Sequence, residues 1–233
     1  TNQDGNTVTP IDPVTGEPGP PVRVDDPYNL YFTPDGRYAI VVAERERRLD
    51  FRDPHTMALH DTVRVACVGV DHMEFTADGR YAVASCEFSG QLLKLDVAAH
   101  KVLAYLQLPA DSVGHAMPQD VRSSPDGRVF YVADMTADGV HLLDPVSFTT
   151  IGFIHTGIGA HGVYPSRDGR LLYVSNRGSH GAAGRRRGPG SVSVIDPATR
   201  TVVATWPVPG GGSPDMGNVS ADGKELWLSG RFD

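Results

Sequence analysis

The sequence has few cysteines, no long apolar run and no excess of basic residues, and each of these absences excludes a class of protein. Two cysteines in 233 residues are too few for a disulfide-dense scaffold, and no CxxC pair occurs. No apolar run approaches the ~20 residues that span a bilayer, so no membrane span is predicted. A net charge of −7 argues against nucleic acid as the main partner. The remaining composition is that of an ordinary globular chain.

A fivefold repeat is the strongest positive feature of the sequence. The pentapeptides TPDGR, TADGR, SPDGR, SRDGR and SADGK each place Asp-Gly before a basic residue. Successive copies are 43, 48, 42 and 54 residues apart, and such a period is typical of a propeller or a repeat array. The glycines of the five copies are Gly36, Gly79, Gly127, Gly169 and Gly223.

The segments around each Asp-Gly indicate four strands per repeat. Asp-Gly between apolar runs is a hairpin signal, because glycine adopts the positive φ that the turn requires. The run after each turn is apolar at nearly every position, which favours a strand buried on both faces. A third strand ends in Asp, usually followed by Pro, and a fourth strand follows. Strands are predicted at about 30–33, 38–43, 72–75, 81–86, 121–124, 129–133, 163–165, 171–175, 192–195 and 225–229.

The predicted fold is therefore an all-β propeller of four-stranded antiparallel blades. The segments YVSNRG…GSVSVIDPATRTVVATWPV and YVAD…DGVHLLDP resemble the YVTN-type β-propeller repeat family, which is similar to surface-layer and YncE-like propellers, to propeller lactonases and to the haem d1 domain of nitrite reductases. The five repeats predict about five blades, and because the resemblance covers nearly the whole chain, residues 1–233 are expected to form one propeller domain. The resemblance also implies an extracytoplasmic location, either secreted, periplasmic or at the cell surface.

The two ends of the chain enter and leave in the middle of a blade, and two arrangements explain this. In the favoured one, the chain is a segment of a longer ring, for which the family resemblance implies seven blades. In the other, the C-terminal strands complete the N-terminal blade and close a five-bladed ring.

The candidate site is the rim of the central channel. In propellers the first strand of each blade lines the channel, so pseudo-symmetry is expected to bring residues of five distant segments into one ring. Convergent polar groups in a concave site are the default binding-site hypothesis, although channel-lining polar residues also occur without a ligand. The residues so placed are Asn29, Asp71, His72, Glu74, His115, Gln119, Asp120, Arg122, His161, Asp215 and Asn218.

Three functions are compatible with this ring. The first is a binding or scaffolding module that needs no cofactor and takes an unknown small molecule or protein at the channel mouth. The second is a lactonase-type hydrolase, in which His72, Glu74, Asp120 or His161 activates water; no GxSxG motif is present. The third is a haem- or metal-dependent redox module, suggested by imidazole and thioether groups without a recognised ligand spacing. These groups belong to His72, Met73, His115, Met117, His161 and Met216.

Two further features carry expectations. The Gly-rich insertion at 178–190 contains Arg185, Arg186 and Arg187 and is either a lid that contacts anions or a solvated loop. Counting outward from the Asp-Gly turn places Val70 opposite Cys86, so Cys67 can reach Cys86 to form a disulfide. The alternative is that both cysteines are buried free thiols.

Overall fold

The computed structural model describes residues 1–109, 115–181 and 185–231, and these residues are almost entirely β. Helical structure in the described residues is limited to two single 3₁₀ turns, Glu87–Ser89 and Pro209–Gly211. None of the described helical segments is long and apolar enough to cross a membrane. The all-β propeller predicted from the repeat is confirmed.

Four complete blades follow one another in the part of the chain that the structure describes. Blade 1 comprises β3 Pro27–Phe32, β4 Ala39–Ala43, β5 Arg48–Arg52 and β6 Leu59–Arg64. Blade 2 comprises β7 Val70–Phe75, β8 Tyr81–Cys86, β9 Gln91–Asp96 and β10 Lys101–Gln107. Blade 3 comprises β11 Pro118–Ser123, β12 Phe130–Asp134, β13 Gly139–Asp144 and β14 Thr149–His155. Blade 4 comprises β15 Ala160–Pro165, β16 Leu172–Asn176, β17 Ser191–Asp196 and β18 Thr201–Pro207.

Each end of the chain adds a two-stranded sheet. The N-terminal sheet pairs β1 Thr7–Val8 with β2 Val22–Arg23, and the C-terminal sheet pairs β19 Pro214–Val219 with β20 Leu226–Gly230. Among the described residues these two sheets are separate, so the arrangement in which the C-terminal strands complete the N-terminal blade is not formed. In the segment TVTPIDP, residues 7–13, Thr7 and Val8 form the strand β1.

The Asp-Gly turns are built from hydrogen bonds within each pentapeptide. In the second copy, Thr76 Oγ1 donates to Asp78 Oδ1 at 2.6 Å, and the same carboxylate oxygen accepts the Arg80 amide at 3.0 Å. Gly79 has φ +68°, the left-handed conformation that favours glycine. The turn needs the hydroxyl as a donor, the carboxylate as an acceptor and the glycine for its positive φ. The Thr/Ser-x-Asp-Gly-basic pattern that supplies them recurs in all five repeats.

The core lies between neighbouring blades. The strand β4 is buried along its whole length, as its unbroken apolar sequence predicts. The largest core cluster joins β4 and β5 of blade 1 to β7, β8 and β9 of blade 2, with Phe51, Met73 and Leu93 at most 1% exposed. Sheets packed on both faces in this way fix the angular position of each first strand around the channel.

Candidate functional site

Each first strand carries a β-bulge at the end where it begins, which is the mouth of the channel. In β7 the register shifts between Val70 and Met73, and β11 and β15 shift at the equivalent positions. A bulge sets two residues opposite one partner residue and changes the direction of their side chains. This explains how the consecutive residues Asp71 and His72 both contact groups at the mouth.

Two sets of equivalent residues surround the mouth. One lies five positions before the Thr or Ser of each Asp-Gly turn and is called the inner ring. The other lies eleven positions after that Thr or Ser, directly beyond the second strand, and is called the outer ring. The inner ring is Tyr28, Asp71, Gln119, His161 and Asp215, and the outer ring is Glu44, Glu87, Met135, Arg177 and Arg231.

Polar contacts connect blades 1, 2 and 3 at the mouth. Asn29 Nδ2 donates to Asp71 Oδ1 at 3.1 Å, and Asp71 Oδ1 lies 3.4 Å from His72 Nε2. On the other side of the imidazole, His72 Nδ1 lies 3.9 Å from Asp120 Oδ1. The ring centroids of His72 and His161 are 6.2 Å apart and nearly perpendicular. The structure therefore brings these five predicted residues together.

Across the mouth from Asn29 and Asp71, the carboxylate of Asp215 is contacted by two arginines and a histidine. Arg177 donates to its Oδ1 from Nε at 2.7 Å and from Nη2, and Arg231 Nη1 donates to Oδ2 at 3.3 Å. His161 Nδ1 lies 3.3 Å from the same carboxylate but makes no hydrogen bond with a described residue. Arg177 is 3% exposed, so this pair is shielded from solvent.

The outer ring was missed by sequence reasoning, although a signal for it was present. Each of its members ends an apolar run at the same distance from the Asp-Gly turn, in YAIVVAE, YAVASCE, VFYVADM, LLYVSNR and ELWLSGR. These positions follow the second strand, so they do not belong to the loops that lead into the first strands. The antiparallel hairpin brings the start of the first strand and the end of the second strand to the same end of the blade, as the pairing of Val70 with Cys86 shows.

Charge is unevenly distributed around the outer ring. Glu44 and Glu87 lie on blades 1 and 2, next to Asp71 of the inner ring, whereas Arg177 and Arg231 lie on blade 4 and the C-terminal sheet. Burial, Glu87 and Glu44 together raise the pKa of Asp71 well above its ordinary value. Burial also raises the pKa of Glu87, opposed by a hydrogen bond from Gln119 and by Arg177.

The two histidines at the mouth are held in the neutral form. Burial lowers the pKa of His72, although Asp120 opposes this shift. Burial lowers the pKa of His161 much further, and the nearby Arg177 adds to the shift by repelling an imidazolium. At neutral pH each ring therefore offers one donor and one acceptor nitrogen.

A second layer of polar residues lies deeper in the channel. Asp120 is fully buried, forms an ion pair with Arg122 with 2.8 Å between Nη1 and Oδ1, and accepts a hydrogen bond from the Val163 amide at 2.9 Å. Tyr31 places its hydroxyl 3.3 Å from His72 Nδ1. Burial raises the pKa of Glu74, opposed by Arg122. Asp120 therefore ties blades 3 and 4 together beneath the mouth.

Some predicted residues do not join this network. The side chain of His115 is exposed, and its backbone carbonyl accepts a hydrogen bond from Thr136 Oγ1 at 3.0 Å. Asn218 is exposed and accepts a bond from the neighbouring Val219 amide. Met73 is a core residue. Within residues 1–109, 115–181 and 185–231, no group of three or more His, Cys, Asp or Glu is arranged to hold a metal ion.

The two cysteines form a disulfide at the mouth end of blade 2. Cys67 and Cys86 have Cα atoms 5.9 Å apart, and Val70 pairs with Cys86 as the count from the turn predicts. The bridge ties the loop that leads into β7 to the last residue of β8, Cys86, which directly precedes Glu87 of the outer ring.

The described part of the insertion contacts blade 3. His180 lies between Asp138, with Nε2 2.7 Å from Oδ1, and Arg187, whose Nη1 is 2.5 Å from Nδ1. Asp138 also accepts the Gly159 amide at 2.7 Å. Residues 182–184 of the predicted lid lie outside the described residues, and no contact of Arg185, Arg186 or Arg187 with the two rings is present among the described residues.

A cleft lies away from the mouth. It has a volume of about 860 Å³ and is lined by the Asp-Gly turns of blades 3 and 4 and by the Asp-Pro turn of blade 4, including Asp126, Asp168 and Arg200. Asp126 and Asp168 already accept hydrogen bonds within their own turns. The mouth, with its buried and unevenly compensated charges, is the better candidate site.

The comparisons with known proteins agree with this architecture. The family model for YNCE-like β-propellers matches residues 1–233. A search of the curated proteins finds no match.

Solved structures show the same fold at low sequence identity. The periplasmic gluconolactonase of Pseudomonas aeruginosa superposes with a TM-score of 0.77 at 22% identity, over 97% of this chain and 71% of that one. The hydrazine synthase of Kuenenia stuttgartiensis superposes with a TM-score of 0.72 at 20% identity, over 88% of this chain and 55% of that one. The chain thus spans between about half and three quarters of these structures.

Proposed function

This chain belongs to the YNCE-like β-propeller family, and we propose that it is a binding module that takes a small polar ligand at the mouth of its channel. The observation that carries the proposal is the convergence of buried charged groups from successive blades at one end of the channel. Asp71, Glu87 and Arg177 are each at least 94% buried. Charged groups are rarely retained in such positions without a partner or a function.

The arrangement is that of a site rather than of a stabilising network. A buried ion pair is stable when each charge is matched, as Asp215 is by Arg177. Glu87 and Glu44 instead raise the pKa of Asp71, and Glu44 raises that of Glu87, and an unliganded fold gains nothing from that repulsion. A ligand that enters the mouth can compensate it, and the rigid strands hold the groups in place beforehand.

We propose that this module works outside the cytoplasm. The Cys67–Cys86 disulfide supports this, because structural disulfides persist in oxidising compartments.

The experiment is a ligand screen by thermal shift and calorimetry on the purified chain. Ligands that raise the melting temperature are then tested against Gln119→Ala, which removes an inner-ring amide, and against Gln91→Ala in β9, two strands outward from the channel-lining strand of blade 2. Weaker binding to the first variant alone supports a site at the mouth. Equal binding to both variants would place the ligand elsewhere.

Lactone hydrolysis is a second candidate, favoured by the neutral imidazoles of His72 and His161 at the mouth. In such a reaction a neutral imidazole accepts a proton from water, the hydroxide adds to the lactone carbonyl, and the ring oxygen leaves with a proton, giving a hydroxy acid. Acid release from a panel of lactones tests this. Turnover that His161→Gln abolishes would make the chain an enzyme, and absence of turnover removes the second candidate.

A further inference from the structure

We infer that His180 is the centre of a pH-sensitive clamp, which holds Arg187 to blade 3 while the imidazole is neutral and releases it when the imidazole is protonated. The clamp consists of Asp138, His180 and Arg187. It goes beyond the proposed function, because it is built from contacts within the chain and needs no ligand.

The imidazole of His180 joins two charged groups of opposite sign. Its Nε2 lies 2.7 Å from Asp138 Oδ1, on the turn between β12 and β13, and its Nδ1 lies 2.5 Å from Arg187 Nη1. Among the residues that the structure describes, these two are the charged groups in contact with the ring. The side chain of His180 is 11% exposed, so the ring is largely shielded from water.

The two partners decide which nitrogen of His180 carries the hydrogen. A guanidinium donates from every nitrogen and accepts no hydrogen bond, so Nδ1 is the acceptor for Arg187. Nε2 then carries the hydrogen and donates it to Asp138 Oδ1, the oxygen that also accepts the Gly159 amide at 2.7 Å. The complete clamp therefore requires a neutral imidazole with its hydrogen on Nε2.

A second proton on the ring removes one contact and keeps the other. It binds to Nδ1, so an N–H group and a positive charge face the guanidinium of Arg187 at close range. The bond from Nε2 to Asp138 becomes stronger, because both of its partners are then charged. Histidine is the side chain that ordinarily changes its charge between pH 5 and 8, so mild acid is the expected trigger.

The backbone beside Arg187 reports whether the clamp is closed. The Arg187 amide donates to the Gly178 carbonyl at 2.7 Å, and the Gly188 amide donates to the same oxygen at 3.1 Å. When the guanidinium leaves His180, the segment 185–190 loses a charge-assisted hydrogen bond to the rest of the fold. These two amides are then expected to open to solvent more often.

The clamp borders the mouth of the channel. Asp138 lies three positions after Met135 of the outer ring, and His180 lies three positions after Arg177. Arg177 Nη1 lies 3.9 Å from Met135 Sδ, so blades 3 and 4 are in contact at this part of the mouth. Release of Arg187 in mild acid therefore changes the charge that is presented beside the mouth.

The test is amide hydrogen exchange of the whole chain at pH 7.5 and pH 5, followed by NMR, with each rate divided by the intrinsic rate at that pH. We expect the protection of the Arg187 and Gly188 amides to fall about tenfold at pH 5, which corresponds to the loss of one hydrogen bond between such groups. The Thr156 amide donates to the Asp138 carbonyl at 2.9 Å and should keep its protection, which controls for opening of blade 3.

Two variants separate the clamp from other titrating groups. His180→Gln places an amide in the clamp that can donate to Asp138 and accept from Arg187 but does not titrate, so protection should be the same at both pH values. Arg187→Met removes the guanidinium, and the Gly188 amide should be weakly protected at both pH values. In the parent, nitrogen-15 NMR of the His180 imidazole at pH 7.5 should find the hydrogen on Nε2.

Three results would overturn the inference. The first is equal protection of the Arg187 and Gly188 amides at both pH values in the parent. The second is a fall in protection at pH 5 that persists in His180→Gln, since another group is then the trigger. The third is a hydrogen on Nδ1 of His180 at pH 7.5, which excludes the contact with Arg187. Because no ligand is used, each of these results leaves the binding module untouched, and a failed ligand screen leaves the clamp untouched.

Discussion

Asn29 of blade 1 donates a hydrogen bond from its side-chain amide to the carboxylate of Asp71 in blade 2, with 3.1 Å between Nδ2 and Oδ1. The bond crosses a blade boundary and joins residues 42 positions apart in the chain. It orients a carboxylate that is 2% exposed and lacks a cationic partner among the described residues. Ionised Asp71 is therefore a cost to the unliganded fold.

Asp71→Asn is expected to stabilise the unliganded protein at neutral pH, by on the order of 1–4 kcal/mol, as when other buried ionic groups are replaced by neutral ones. The folded-state pKa of Asp71 is raised, so its favourable contribution is present below the ordinary aspartate pKa of 3.8 and is lost as the pH rises through the folded value. Urea unfolding at several pH values should show the difference between variant and parent growing above pH 4. A variant less stable than the parent at pH 7 would contradict this account.

His161→Gln is expected to flatten the acid side of the stability profile. The pKa of His161 is lowered in the folded state, so the unfolded chain binds the proton first, and stability falls as the pH drops below the ordinary histidine value of 6.5. The measurement is the free energy of unfolding between pH 7 and pH 5. The exposed His115→Gln serves as the control, and a similar change in slope for both variants would argue against a special environment for His161.

Arg177→Met is expected to destabilise the chain by about 3 kcal/mol, because it removes one partner of a buried charge pair. The double variant Arg177→Met/Asp215→Asn removes both charges and should recover part of that loss. A double-mutant cycle by urea unfolding measures the coupling. Additive effects would show that the bidentate contact from Arg177 to Asp215 contributes little.

Reduction of the Cys67–Cys86 bridge should lower the free energy of unfolding by about 3 kcal/mol, the chain-entropy value for a closed loop of this size. The loop spans 19 positions. Unfolding curves with and without reductant give the value, with Cys67→Ser/Cys86→Ser as the variant insensitive to reductant. Titration of thiols in the unfolded, unreduced protein should find none; two reactive thiols would rule out the bridge and the support that it gives to an extracytoplasmic location.

Gly159→Ala and Gly36→Ala form a matched pair. Both glycines have positive φ, +73° and +69°, so both substitutions carry the same conformational penalty of about 1 kcal/mol. A Cβ at Gly36 meets nothing within 4 Å, whereas a Cβ at Gly159 would lie 2.1 Å from the Ser179 carbonyl oxygen. Gly159→Ala should therefore lower the melting temperature several-fold more than Gly36→Ala does. Equal shifts of the melting temperature would mean that the loop before β15 moves to accommodate the added Cβ at little cost in free energy.

Sequence reasoning placed the strands well because the signals for them are local. The predicted run at 81–86 is β8, and the predicted run at 129–133 differs from β12 by one residue at each end. Each Asp-Gly turn is closed by bonds among residues at most five positions apart, as between Thr76 and Tyr81. Such bonds form from the same five residues wherever the sequence recurs.

The candidate site was predictable in its general place but not in its membership. The position of the first strands around a channel follows from the repeat, and this placed Asp71, His72, Asp120, His161 and Asp215 near one another, as the structure has them. The outer ring was missed, and His115 was included although its side chain is exposed. The bulges that turn consecutive residues to the mouth leave no mark in the alternation of apolar and polar residues.

The sequence by itself thus determined the architecture: an all-β chain of repeated four-stranded blades, with turns whose chemistry is complete within a few residues. Only the tertiary structure decided which charges meet. Glu44 and Glu87 come to lie beside Asp71, and Arg177 beside Asp215, because strand pairing and the packing of blade on blade bring together residues 27, 16 and 38 positions apart in the chain. The electrostatic character of the mouth depends on those non-local distances, since the interaction of two charges varies with their separation and burial rather than with their spacing in the chain.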